Sequence, residues 1–226
     1  TGVLQPVAEI ARVAGNAGAP VHVDASQSLG KVPVDVRDWG IDALTIAGHK
    51  LYAPKGIGAL FLRGGLAIPS VLDGAGQEQG RRPGTENVAY IVGLGEACVL
   101  AGRAMVDESA RVEVLRDLLW KNLTQRVPGL IRVGAGATCL PNTLNILFPE
   151  AVGNDVLNAA PGIAASTGSA CHAGDSRPSA IILAHGFAPE IALGAVRITL
   201  GRGTSEADIN RAAAALADAW NRTKRR

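Results

Sequence analysis

The chain has 226 residues, 47% of them hydrophobic, and 22 Lys and Arg against 20 Asp and Glu leave a formal charge of +2. At that length and apolar content it buries a core of one to two domains, which excludes disorder as its main state. So even a charge balance draws in neither nucleic acid nor an anionic membrane surface, and the one basic cluster, Arg222 to Arg226, reads as a solvated helix end. Three cysteines make no disulfide framework, and no Cys-x-x-Cys pair offers a structural zinc site. A reducing compartment follows, and a cytoplasmic location is expected. The longest charge-free run, Val156 to Gly174, is broken by Asn158, Pro161 and Gly162, so it is no membrane span. No basic segment followed by an apolar one opens the chain, and no secretory signal is expected.

Pro6 to Ala14 carries Val7, Ile10 and Val13 at helical spacing, and Gly15 to Gly18 ends that helix. Thr1-Gly2 is expected to enter it almost at once, with no strand ahead of it. Pro20 to Asp24 reads as a buried strand with Asp24 at its carboxyl end; Ile41 to Ala47 and Gly58 to Leu62 are two more. Alternation of short apolar runs with helical patterns predicts an α/β fold with a mostly parallel sheet. In such sheets ligands sit at the carboxyl ends of strands, which places Asp24 and the Gly48-His49-Lys50 turn well. The N-terminal half of the sheet is expected to lie outside this chain.

Two helices follow, Glu86 to Met105 and a more polar one from Asp107 to Val127, the latter with Val112, Leu115, Leu119 and Leu123 on one face. From about residue 107 the pattern shortens into a smaller α+β domain. Strands are predicted near Ile131, at Thr143 to Leu147 and near Ile163, with a helix near Asp155. A loop from Ser166 to Asp175 precedes a helix from Ser179 to His185 and a strand from Ala195 to Leu200. Ser205 caps the last helix, whose buried face is Ile209, Ala212, Ala213, Leu216 and Trp220. The domain division is therefore 1–106 and 107–226.

Generic phosphate motifs fail here. The Gly134 to Cys139 segment lacks a third glycine and runs into Leu140-Pro141 rather than a helix, and there is no Walker sequence. Cys171, His172, Asp175 and His185 sit too close along one stretch to converge readily on a metal, and none is expected. Lys50 is either a solvated turn lysine or an amine held near apolar walls, where it loses its proton readily and suits Schiff-base chemistry. Asp24 is either a strand-end cap or the carboxylate that keeps a pyridine nitrogen protonated. Cys171 lies in a loop of small residues, Thr167 to Gly174, with no packing face, which suits an accessible thiol beside a histidine.

Five segments stand in order: Val21 to Ser28 (VHVDASQS), Ala47 to Gly56 (AGHKLYAPKG), Gly76 to Asn87 (GQEQGRRPGTEN), Gly168 to His172 (GSACH) and Val196 to Arg202 (VRITLGR). Together they resemble the cysteine desulfurases and selenocysteine lyases, in the class V aminotransferase branch of fold type I pyridoxal phosphate enzymes. The resemblance runs over essentially the whole chain but over only about the C-terminal half to three-fifths of a family member.

The resemblance implies pyridoxal 5'-phosphate as cofactor. Residues 1–106 would be part of its large binding domain, and 107–226 the small domain carrying the cysteine loop. Lys50 would carry the cofactor and shuttle the substrate α-proton. Asp24 would pair with the pyridine nitrogen, Gln27 with the phenolic oxygen and His49 with the phosphate. Thr85 would reach the phosphate of the other subunit of a homodimer. Arg197 would clamp the substrate carboxylate, and Cys171 would take the sulfur of L-cysteine as a persulfide and release alanine. The sulfur would pass to an acceptor or scaffold protein for iron–sulfur cluster or thio-cofactor assembly.

Selenocysteine is the alternative substrate, since Cys171-His172 with Asp175 and Pro178 resembles the lyase loop. A serine that many family members place three residues before the lysine is Ala47 here. The Gly/Thr phosphate loop, a ring-stacking histidine and an asparagine near the phenolic oxygen would lie upstream of Thr1. A piece without turnover is therefore the expectation from another class.

Overall fold

The computed structural model describes residues 1–168 and 177–225. The chain divides into two compact units, one formed by Gln5–Val106 and one by Thr1–Leu4 with Asp107–Arg226.

In the first unit, helix α1 (Val7–Asn16) precedes strands β1 (His22–Asp24), β2 (Ala43–Ala47) and β3 (Gly58–Leu62). These form one sheet in the order β1-β2-β3. β1 runs parallel to β2, with Asp24 opposite Thr45, but β2 and β3 are antiparallel. The three strands thus hold one parallel and one antiparallel pair. The link from Ala47 to Gly58 is too short for a crossover, so β3 folds straight back on β2.

The core of this unit joins Ala11, Ala25, Ile41 and Leu44, with Val7, Val23, Val36 and Trp39 packed around them. The buried stripe of α1 thus runs through Val7 and Ala11. Ile10 and Val13, expected on the inner face, are exposed. Both sets fit a helical period, and only the position of the sheet selects between them. After β3, the short helical turn α2 (Gln77–Gly80) carries left-handed backbone at Glu78 and Gln79, with φ of +52° and +58°.

Helix α3 (Val88–Thr124) is continuous over 37 residues, where the sequence predicts two helices. A second helix starting at Asp107 needs a break in helical backbone, and none occurs: Gly102, one turn before, stays within the continuous helix. The boundary between the two units falls within it. By length and composition alone α3 could cross a bilayer. Glu96 and Arg103 interrupt its apolar first half.

The second unit holds an antiparallel sheet in the order β4 (Ile131–Arg132), β5 (Thr143–Leu147), β6 (Ala195–Thr199). Its helices are α4 (Gly153–Asn158), α5 (Ala180–Ala184), α6 (Pro189–Ala192) and α7 (Glu206–Thr223). One face of the sheet carries Leu144, Ile146, Val196 and Ile198. They pack with Leu115, Leu119 and Leu123 of α3, Val156 of α4, and Ile209, Leu216 and Trp220 of α7. The other face carries a smaller cluster of Val133, Leu147, Ile182, Ala192 and Ala195.

Two further expectations give way here. No strand forms near Ile163; after Pro161-Gly162 the chain turns, Ile163 N–H donating to Ala160 O, and only Ser166 bridges to Arg197. Gly2 to Leu4 do not enter a helix. Val3 instead bridges to Cys139, and Leu4 N–H donates to Thr138 O at 2.9 Å. The start of α7 is as read: Ser205 Oγ accepts from Asp208 N–H, and Asp208 accepts from Ser205 N–H at 2.8 Å. The Ser205 hydroxyl, donating to Asp208 Oδ2 at 2.6 Å, and then the Ser205 N–H hold the Asp208 carboxyl below the usual carboxylate range.

Leu119 is wholly buried at the centre of the larger core. Leu119→Ala should lower unfolding stability by roughly 2–5 kcal/mol, the usual cost of a core cavity, read as a lower urea midpoint at unchanged slope.

Candidate active site

β1 and β2 are parallel and in register, so their carboxyl ends lie at one edge of the sheet. Asp24 ends β1. Immediately after β2 the chain enters a tight 3-10 turn, Gly48–Lys50. Asp24 and Lys50 are thereby brought within electrostatic reach of each other. Ser26 donates its backbone N–H to Asp24 Oδ1 at 2.8 Å. Hydrogen bonds from Ser26 hold the Asp24 carboxyl below its ordinary pKa, and the charges of Lys50 and His22 add to this against a modest opposing effect of burial. Asp24 is therefore an ionised acceptor, aimed from the strand end.

The turn that carries Lys50 is locked from several sides. Gly48 N–H donates to Ile57 O at 2.9 Å, and Gly48 O accepts from Leu51 N–H and Ala53 N–H at 2.8 and 3.1 Å. A Cβ on Gly48 would lie 2.8 Å from Ile57 O, so only glycine lets the two segments approach this closely. Leu51 is buried against Ala97 and Ala101 of α3. Tyr52 then takes a left-handed φ of +66°, a strained conformation for an aromatic residue. Lys50 is half-buried, while His49, Gln27 and Thr85 are exposed.

Arg197 lies in the other unit, on β6, half-buried and directly opposite Asn145 of β5. Its backbone is pinned to Ser166 by two hydrogen bonds, of 2.6 and 3.1 Å. The loop after β6 is fastened by Arg111, which pairs with Glu108 and donates to the carbonyls of Gly201, Arg202 and Thr204. Cys171, with His172 and Asp175, lies outside the described residues. Cys98 is half-buried on α3, and burial pushes its thiol pKa up, away from the thiolate form.

Two residues that the sequence reading passes over belong to this description. Asn145 Oδ1 is buried without a hydrogen-bond partner, alone in this among the described residues, on the face shared with Arg197. A polar residue inside the apolar run Thr143 to Leu147 is the signal that could have marked it. Lys31 reaches the main chain of Lys50.

The chemistry of the donors at the β1–β2 edge fits the ring end of pyridoxal phosphate. Asp24 offers an ionised carboxylate for a protonated pyridine nitrogen, and Lys50 offers an amine for the aldehyde. Ala47 offers no hydroxyl for the phosphate.

The model of the family Aminotransferase class-V matches residues 1–212. This chain belongs to that family. It is 44% identical over 214 residues to a cysteine desulfurase of Gluconacetobacter diazotrophicus, covering 93% of this chain and 53% of that protein. Its fold matches the X-ray structure of a NifS-like protein from Rickettsia africae, with a TM-score of 0.88 and 29% identity over 97% of this chain and 59% of the other. A structure described as SspA in complex with cysteine matches with a TM-score of 0.71 and 33% identity over 88% of this chain and 55% of that one. The chain thus spans about half the length of the curated relatives it matches. Proteins of the class V family generally use pyridoxal phosphate, and the α/β fold agrees with its NifS-like neighbours.

Ser26 is the main cause of the low Asp24 pKa, so Ser26→Ala should raise it toward the ordinary carboxylate value, read by NMR titration of the side-chain carboxyl. With a folded-state pKa below the unfolded one, Asp24 stabilises the fold fully above the ordinary carboxylate range. That contribution is lost as pH falls through the depressed value, and Ser26→Ala should shrink it.

Proposed function

We propose that the protein to which this chain belongs is a pyridoxal phosphate-dependent cysteine desulfurase, converting L-cysteine to L-alanine and passing on the sulfur. The observation that carries this reading is the placement of Asp24 and the Lys50 turn at adjacent parallel strand ends, in a chain 44% identical to a cysteine desulfurase. The likeness to a protein whose structure holds cysteine supports that amino acid as substrate.

In this reading Lys50 would hold the cofactor and Asp24 would serve its pyridine nitrogen. Gln27, His49 and Thr85 would hold its phenolic oxygen and phosphate, Thr85 that of the other subunit of a homodimer. The bound cofactor supplies an electron sink for the α-carbon of the substrate. Lys50 Nζ takes up the α-proton of cysteine and returns a proton to the product. Arg197 binds the substrate carboxylate through paired N–H donors. Asn145 presents its unpartnered carbonyl beside Arg197 on the same sheet face.

Cys171 acts as a thiolate on the substrate sulfur. A new S–S bond forms as the Cβ–S bond breaks, and the electron pair left on carbon is protonated to give alanine. The persulfide on Cys171 then goes to a sulfur-acceptor protein, for iron–sulfur cluster or thio-cofactor assembly, in a reducing cytoplasm. The exposed apolar side chains of Val71, Val88 and Val92 support their burial in a larger assembly.

The test is reduction with borohydride after incubation with pyridoxal phosphate, with peptide mapping, alongside alanine release from cysteine. A single adduct on Lys50 is expected, and Cys171→Ala should keep that adduct while losing more than roughly a thousandfold of cysteine turnover. Turnover of selenocysteine alone would move the reading to a selenocysteine lyase. Adducts scattered over surface lysines would remove Lys50 from its role.

A further inference from the structure

Lys31 stands seven residues beyond Asp24, in the segment that leads away from β1. Its half-buried side chain places Nζ 3.5 Å from the carbonyl oxygen of Lys50, as a donor to it. The approach is built into the backbone on either side. Leu29 packs on the Leu51 cluster. Gly30, at φ +72°, lies so close that a Cβ would sit 2.9 Å from Leu51 Cδ2 and 3.0 Å from Ala101 Cβ. Lys31 N–H is tied back to Ser28 O at 3.0 Å. A long, flexible side chain is thus held against the turn that carries Lys50, where half-burial strengthens an ammonium–carbonyl bond.

We propose that Lys31 is a positioning residue for Lys50: its ammonium clamps the Lys50 carbonyl and fixes the turn from which the Lys50 amine projects. The inference rests on the reading of Lys50 as the cofactor lysine for its functional meaning. Burial, followed by the charge of Lys50, lowers the pKa of Lys31, in keeping with two amines held close together. A surface lysine would pay none of this cost. The Leu29-Gly30-Lys31 segment is therefore a brace for the turn rather than a solvated connection.

The experiment compares the whole chain with Lys31→Met and Lys31→Arg. The first readout is hydrogen exchange at the amides of Leu51 and Ala53, which close the turn on Gly48 O. Lys31→Met should speed exchange there by about tenfold, the scale of one hydrogen bond to a charged group, with β2 and β3 unchanged. Lys31→Arg keeps a donor and should restore the wild-type rate. The second readout is the rate at which pyridoxal phosphate becomes trapped on Lys50, slower in Lys31→Met and recovered in Lys31→Arg. Unchanged exchange at Leu51 and Ala53 in Lys31→Met overturns the proposal. So does faster exchange across the whole sheet that Lys31→Arg fails to reverse, because Lys31 would then serve the fold alone. If the exchange pattern holds while wild-type protein traps no cofactor on Lys50, the brace stands and the cofactor reading fails.

Discussion

The parallel pairing of β1 with β2 is the constraint from which the candidate site follows. Two parallel strands in register must end at the same edge of their sheet, and here the ends are Asp24 and the Gly48–Lys50 turn. A carboxylate and an amine far apart in sequence become neighbours without any dedicated loop. The rest of the unit serves that edge. Ala25, wholly buried, anchors the chain just beyond Asp24 and donates its N–H to Thr45 O. The antiparallel return of β3 then closes on the turn through Gly48 and Ile57. Backbone hydrogen bonds of this kind are rigid, so Asp24 and Lys50 inherit their placement from the sheet rather than from solvent-exposed loops.

Close backbone approach is the second physical theme, and it explains what sits around Lys50. Gly48 lets Ile57 O come within reach of the turn, and Gly30 lets its own segment settle on Leu51. Any side chain at either position would push the two layers apart. The strained φ of Tyr52 lies in the same stretch. Such strain persists only where the surroundings over-determine the backbone, and here the packing of Leu51 against α3 does so.

The second unit is organised differently. Its larger core is made by one face of an antiparallel sheet against α3, α4 and α7, and that packing is dense and apolar. The opposite face combines a smaller apolar cluster with polar side chains from Asn145 and Arg197. A buried, unpartnered carbonyl costs free energy unless something donates to it. It lies on the same sheet face as Arg197, the residue directly opposite on β6. The larger face supplies the stability, which leaves this one free to carry polar groups.

The sequence by itself determined the α/β class, most strand positions, the capped start of α7 and the place of Asp24 and of Lys50 at the ends of strands. Each rests on local patterning: short β-branched runs, Ser205 three residues before Asp208, and a polar residue at the end of an apolar strand. What only the tertiary structure decided is which of two equally periodic faces a helix buries, as with Ala11 against Ile10 on α1. It also decided that β3 pairs antiparallel, that α3 runs unbroken past Asp107, that Asn145 lies opposite Arg197 and that Lys31 reaches the Lys50 carbonyl. These depend on contacts between segments distant in sequence. A local pattern fixes the period of an element, but only the neighbour it packs against fixes its face and its partners.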